Sequence, residues 1–106
     1  MSVSIVVKGE VVTACLSGEI DHHSAVAVRS EIDEEISLRR PKRTVLDLSE
    51  IDFMDSSGLG LIMGRYALMQ KFGGAFSISK PSDRVMRGFE LSGLGRIIRI
   101  EKSNEN

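Results

Sequence analysis

Residues 44–79 read TVLDLSEIDFMDSSGLGLIMGRYALMQKFGGAFSIS, and the fold turns on this stretch. Thr44-Val45-Leu46-Asp47-Leu48 begins β-branched and is mostly apolar, as a strand buried on both faces tends to be, so it is expected in the centre of a sheet. Ser57 to about Phe72 then carries helical periodicity, Gly73-Gly74 ends it, and Ala75 to Ser79 is short and β-prone. Strand, helix and strand in that order read as an α/β unit.

Upstream, Val3, Ile5 and Val7 fall on one side of a pleat, Gly9-Glu10 supplies a tight reversal, and Val11 to Ser17 form a second β-prone run. The chain therefore opens on a predicted hairpin. Asp21 stands where a helix N-cap belongs, its carboxylate able to accept from the free N–H groups of a first turn. The helix expected after it carries Ala25, Val28, Ile32 and Ile36 as its apolar stripe, turns Glu31, Asp33, Glu34 and Glu35 mostly to water, and stops near Leu38. Arg39-Arg40-Pro41-Lys42-Arg43 reads as a solvated basic loop whose proline ends that helix.

Downstream, Pro81 marks a helix start, Val85, Met86 and Phe89 line its inner side, and Gly93 stops it. Arg96 to Ile100 is expected as a last short strand, and Glu101 to Asn106 as a polar tail that frays. The expected class is α/β: a small mixed sheet of four to five strands with an N-terminal hairpin and three to four packed helices, in one domain over residues 1–106.

Composition narrows the function. At 106 residues, 42% apolar and 27% charged, the chain suits one globular core without metals or cross-links. Fourteen Lys+Arg against fifteen Asp+Glu leave a formal charge of −1, too balanced for binding a phosphate backbone, so nucleic acid is not an expected partner. The single cysteine, Cys15, has no second thiol for an internal disulfide or a Cys-type zinc site. With no secretory leader and no long apolar run, the cytoplasm is the expected location and a membrane is not.

Enzyme motifs fail in turn. A nucleophile elbow needs glycine two places before its serine, whereas Met54 precedes Ser56 and Asp55 precedes Ser57. His22 and His23 are adjacent, so on a helix their side chains diverge by about 100°, and ligand pairs sit three or four apart. Gly58, Gly60 and Gly64 miss both nucleotide-loop spacings. Asp47, Asp52 and Asp55 make a poor magnesium set, since Asp47 lies inside a strand. No catalytic group, metal or cofactor is expected.

The helix over residues 57–72 has two apolar sides. Leu59, Ile62, Met63, Tyr66 and Met69 share one arc of about 120° and read as core-facing. The other side carries Ser57, Gly60, Leu61, Gly64 and Leu68, which is not the polar face that water alone would select. Each interior glycine costs roughly 1 kcal/mol relative to alanine, so something compensates. Either another element of the domain packs closely there, or an apolar patch beside Ser56 lets a partner's backbone sit close; the second is the reading taken. Ser56 or Ser57 at the positive end of this helix is also a place where a phosphate would be held locally. It would add about −1.5 to −2 charges beside Asp52 and Asp55. From the residues alone, simple capping serines and a phosphorylation switch stand level.

Gly18-Glu19-Ile20-Asp21-His22-His23 and Phe53-Met54-Asp55-Ser56-Ser57-Gly58-Leu59-Gly60, continued by Met63-Gly64-Arg65-Tyr66, Ser92-Gly93-Leu94 and Ile97-Ile98-Arg99, closely resemble the bacterial anti-sigma factor antagonists, STAS domains, above all those of the sporulation sigma-F type. The resemblance spans most of the chain, and D-S-S-G-L-G is its most specific part. It implies a STAS-type fold and a non-enzymatic partner switch. The unmodified antagonist would bind an anti-sigma factor that is also a GHKL-type serine kinase, with ATP bound by that partner, and so free the sigma factor. Phosphorylation would release it, and a metal-dependent serine phosphatase would reset it. By motif the phosphoacceptor is Ser56, and the contact surface combines Asp21 with Ser57, Gly60, Leu61 and Gly64. The alternative is a STAS interaction module in a stress-signalling assembly without phosphorylation control.

Overall fold

The computed structural model describes residues 2–102. A hairpin of β1 (Ser2–Lys8) and β2 (Val11–Ile20) leads into α1 (His22–Arg39), β3 (Arg43–Met54), α2 (Ser56–Lys71), β4 (Ala75–Ser79), α3 (Asp83–Ser92) and β5 (Arg99–Glu101). The five strands form one sheet in the order β1-β2-β3-β4-β5. β1 is antiparallel to β2, and every later neighbour is parallel. The expected mixed sheet, hairpin and three helices are all present.

Register decides which face is buried. Val12 and Ala14 of β2 lie opposite Val7 and Ile5 of β1 and beside Thr44 and Leu46 of β3, which in turn pair with Phe76 and Ile78 of β4. This face packs into a core with Val28, Ile32 and Ile36 of α1, Leu61, Ile62 and Met69 of α2, and Val85 and Phe89 of α3. The opposite face, with Thr13, Cys15, Val45, Asp47 and Ser77, contributes nothing to that core. Instead Arg43 crosses it, its Nη2 donating to Ser77 Oγ at 3.1 Å and to Glu101.

Four boundaries differ from expectation, one of them the start of α3, which lies at Asp83 behind the cap Ser82 and not at Pro81. β2 runs to Ile20 and β3 to Met54, beyond the expected ends at Ser17 and Leu48. Their parallel ladder continues through Ser17↔Glu50 and Ile20↔Met54 after a bulge, and pairing overrides the weak β preference of Gly18, Glu50 and Asp52. Leu94–Arg96 is a short 3₁₀ turn, so the last strand starts only at Arg99. Glu101 is not frayed: it pairs with Ser79 and its carbonyl accepts from Lys80 N–H at 2.7 Å. The rest of the expected tail, 103–106, lies outside the described residues.

Candidate partner-binding site

Because β2 and β3 are parallel and end together at Ile20↔Met54, the residues after them, Asp21 and Asp55, cap α1 and α2 at the same edge of the sheet. This carboxyl edge is where open α/β sheets present their functional groups. Asp21 Oδ1 accepts from Ser24 N–H at 2.8 Å, and Ser24 Oγ accepts in return from Asp21 N–H, closing a capping box. The Ser24 N–H, and then its hydroxyl, hold the exposed Asp21 carboxyl below its ordinary range. Asp55 Oδ1 accepts from Ser57 N–H at 2.8 Å, which fixes the start of α2. Ser56, the first residue of that helix, is exposed, whereas Ser57 is half-buried.

A shallow groove of about 240 Å³ runs between the two helix starts, with His22, Val26 and Arg29 on the α1 side and Ser57, Gly60 and Leu61 on the α2 side. The three α2 glycines separate into two kinds. A Cβ on buried Gly58 would overlap Met54 Cγ and approach Ile20 Cγ2 at 3.2 Å, so this glycine is required by packing inside the domain. A Cβ on Gly60 or on Gly64 would meet nothing within 4 Å. No part of the described chain packs closely on these two.

Leu61 does not lie where the sequence reading put it. It is 4% exposed and belongs to the core, while Met63, expected inside, is 37% exposed. The buried stripe of α2 is Gly58, Leu61, Ile62, Arg65 and Met69, turned from the expected one by about 80°. A wheel that counts only large apolar residues discounts a buried glycine and a buried arginine, and here both lie on the buried stripe. Asp21, Ser57, Gly60 and Gly64 thus remain at the surface or half-buried, and Leu61 reaches the groove only as its floor.

Arg65, which the sequence reading passed over, is 6% exposed. Its Nε lies 2.6 Å from Asp33 Oδ1, an ion pair that ties α2 to α1 without the linearity of a hydrogen bond, and its Nη1 has no protein partner. Burial pushes the Asp33 carboxyl up and the Arg65 guanidinium down, and their mutual attraction offsets this only in part. The pairing is invisible until α1 and α2 are known to be neighbours. His22 and His23 are exposed, and among the described residues no three His, Cys, Asp or Glu side chains are grouped to hold a metal ion.

The family model for the STAS domain matches residues 2–106. The chain belongs to the STAS domain family. Among relatives of this STAS domain, the anti-sigma F factor antagonist of Paenibacillus polymyxa is 43% identical over 91 residues, covering 86% of this chain and 78% of that protein. The anti-sigma-B factor antagonist of Bacillus subtilis is 32% identical over 94 residues, covering 85% of this chain and 81% of that protein. The fold matches the anti-sigma factor antagonist SpoIIAA in its unphosphorylated form with a TM-score of 0.82 at 30% identity, over 96% of this chain and 90% of that one. SpoIIAA from Bacillus in its phosphorylated form matches with a TM-score of 0.74 at 29% identity, over 96% of this chain and 93% of that one. This STAS domain has no helix long and apolar enough to cross a membrane among its described residues.

Proposed function

We propose that this STAS domain is an anti-sigma factor antagonist: a regulatory binding protein of the cytoplasm, not an enzyme, whose association with an anti-sigma factor is decided by the charge on Ser56. The observation that carries the reading is the exposed first residue of α2 standing beside a surface at Gly60 and Gly64 that the domain's own chain leaves open. The relatives named above point to the same class of partner, and one of them has been solved with and without phosphate.

The proposed mechanism joins the geometry of the helix start to the kinase and phosphatase that the family resemblance implies. In the unmodified state Asp21, Ser57, Gly60 and Gly64 form a smooth contact surface on which the partner's backbone sits. The partner, as the resemblance implies, is an anti-sigma factor that is also a GHKL-type serine kinase. Its ATP supplies the γ-phosphoryl group, which is transferred to Ser56 Oγ as the hydroxyl loses its proton, leaving ADP. The phosphate then stands beside the Asp55 carboxylate and at the rim of the contact surface. Asp55 already takes the Ser57, Gly58 and Leu59 N–H groups, so the Ser56 N–H and the positive end of the helix are what hold the phosphate in place without unfolding the helix. A unit like-charge contact at ~4 Å and an effective dielectric near 20 is worth about 4 kcal/mol, and because residue 56 is exposed only a fraction of that survives. One third of it already changes affinity about tenfold. A metal-dependent serine phosphatase hydrolyses the ester and resets the surface.

Incubation with the cognate kinase and ATP is expected to add one phosphate by intact mass, lost in Ser56→Ala and retained in Ser57→Ala. Ser56→Asp is expected to weaken anti-sigma binding about tenfold or more while leaving Tm nearly unchanged. Undiminished affinity in Ser56→Asp together with no phosphate uptake would replace the switch with an interaction module free of phosphorylation control.

A further inference from the structure

On the side of α2 away from α1, a second groove opens beside residue 56. Its volume is about 300 Å³ and its floor is apolar, made by Met54, Leu59 and Val85. Phe53 and Leu91 form its walls and are 44% and 85% exposed, large apolar surfaces that a free domain does not bury. Both observations concern residues outside the contact surface assigned above.

The rim is charged with one sign. Arg84, Arg87, Gly88 and Leu91 of α3 line the groove at spacings of three, one and three, the pattern of one helical stripe, while the acids of the same helix, Asp83 and Glu90, are not among its lining residues. Gly88 sits inside that helix, where glycine weakens it relative to alanine. A Cβ there would meet nothing within 4 Å, so the domain's own packing does not require the glycine. Its effect is to keep the groove open one turn along the helix from Arg84.

We infer that this α3-side groove is a second docking surface, and that its occupant is an amphipathic helix of a partner protein, with an apolar stripe seated on Met54, Leu59 and Val85 and acidic side chains meeting Arg84 and Arg87. A trough open to solvent suits a helix laid along it, and the all-positive rim selects the acidic flank. Phe53 and Met54 lead through Asp55 into Ser56, so a protein docked here approaches residue 56 from the flank opposite to the α1–α2 groove. Two proteins would then reach one serine from two sides. That last consequence rests on the role proposed for Ser56; the groove and its occupant do not.

The test is an amide NMR titration of the full chain with three probes: a synthetic amphipathic helical peptide with leucines on one stripe and glutamates beside it, the same peptide with lysines for the glutamates, and dodecanoate. The glutamate peptide is expected to move the resonances of Phe53, Leu59, Gly88 and Leu91 and to bind at least tenfold more tightly than the lysine peptide. Arg84→Glu/Arg87→Glu is expected to reverse that order, and Gly88→Gln, which fills open space in a helix-compatible way, to abolish binding with the fold intact. Ser56→Ala is expected to bind the glutamate peptide as the wild type does, so the outcome is independent of phosphotransfer. Equal affinity for the two peptides, shifts centred elsewhere, or saturation by dodecanoate alone would overturn the proposal.

Discussion

Gly60→Ala/Gly64→Ala is expected to make the protein more stable and the complex weaker. Both positions lie inside α2, and a methyl group at either meets no atom within 4 Å. Nothing opposes the helix-propensity gain of about 0.8–1 kcal/mol per site, so the pair should add about 1.5–2 kcal/mol. For a domain of this size that corresponds to a rise in Tm of roughly 6–12 °C. The same two methyl groups stand off any backbone seated on this surface, and anti-sigma binding is expected to fall at least tenfold, about 1.4 kcal/mol. Gly58→Ala supplies the control of opposite sign. Its Cβ would overlap Met54 Cγ and crowd Ile20 Cγ2 at 3.2 Å, and the overpacking costs about 1–3 kcal/mol. Scanning calorimetry and isothermal titration on the three proteins decide the matter. A double variant that gains no Tm would mean that the space above Gly60 and Gly64 is filled by the domain itself. A gain in Tm with unchanged affinity would mean that the partner sits elsewhere.

Two further perturbations test the frame that holds the site. Asp33→Asn leaves the Arg65 charge buried without its counter-ion and is expected to cost about 2–3 kcal/mol, the low end for a broken buried pair because Asp33 is part-exposed; Asp33→Leu/Arg65→Met should recover most of it, as read by urea unfolding. Asp21→Ala removes the capping box. Since the folded-state pKa of Asp21 lies below its unfolded value, the stability gap to wild type should be full above the ordinary carboxylate range and close as pH falls through the folded pKa, as followed by Tm against pH.

The sheet and its helices were legible because their signals are local. Val3-Ile5-Val7 and Val12-Ala14-Leu16 alternate, α1 repeats Val28-Ile32-Ile36, and Asp21 accepts from the first turn of its helix. The ends of β2 and β3 were not, because Gly18, Glu50 and Asp52 are extended only by pairing with each other's strand. Within the candidate site, D-S-S-G-L-G located the start of α2, and Gly60 and Gly64 have no atom within 4 Å of an added Cβ. The rotation of that helix was misread. Arg65 gives no burial signal until its partner Asp33, far along the chain, is brought beside it, and Leu61 is buried on the same side of the helix.

Residue order alone therefore determined the identity of the elements, the Asp21 cap of α1, and the presence of a serine at a glycine-rich helix start, since each depends on neighbours within a turn or two of chain; the caps of α2 and α3, Asp55 and Ser82, came from the structure. Which side of that helix meets water, that Gly58 is required and Gly60 and Gly64 are not, and that one groove reaches Ser57 and another Met54 and Leu59 were decided only by the tertiary structure. Those properties depend on distances between α1, α2, α3 and the end of β3, and distances between elements are set by packing rather than by local sequence.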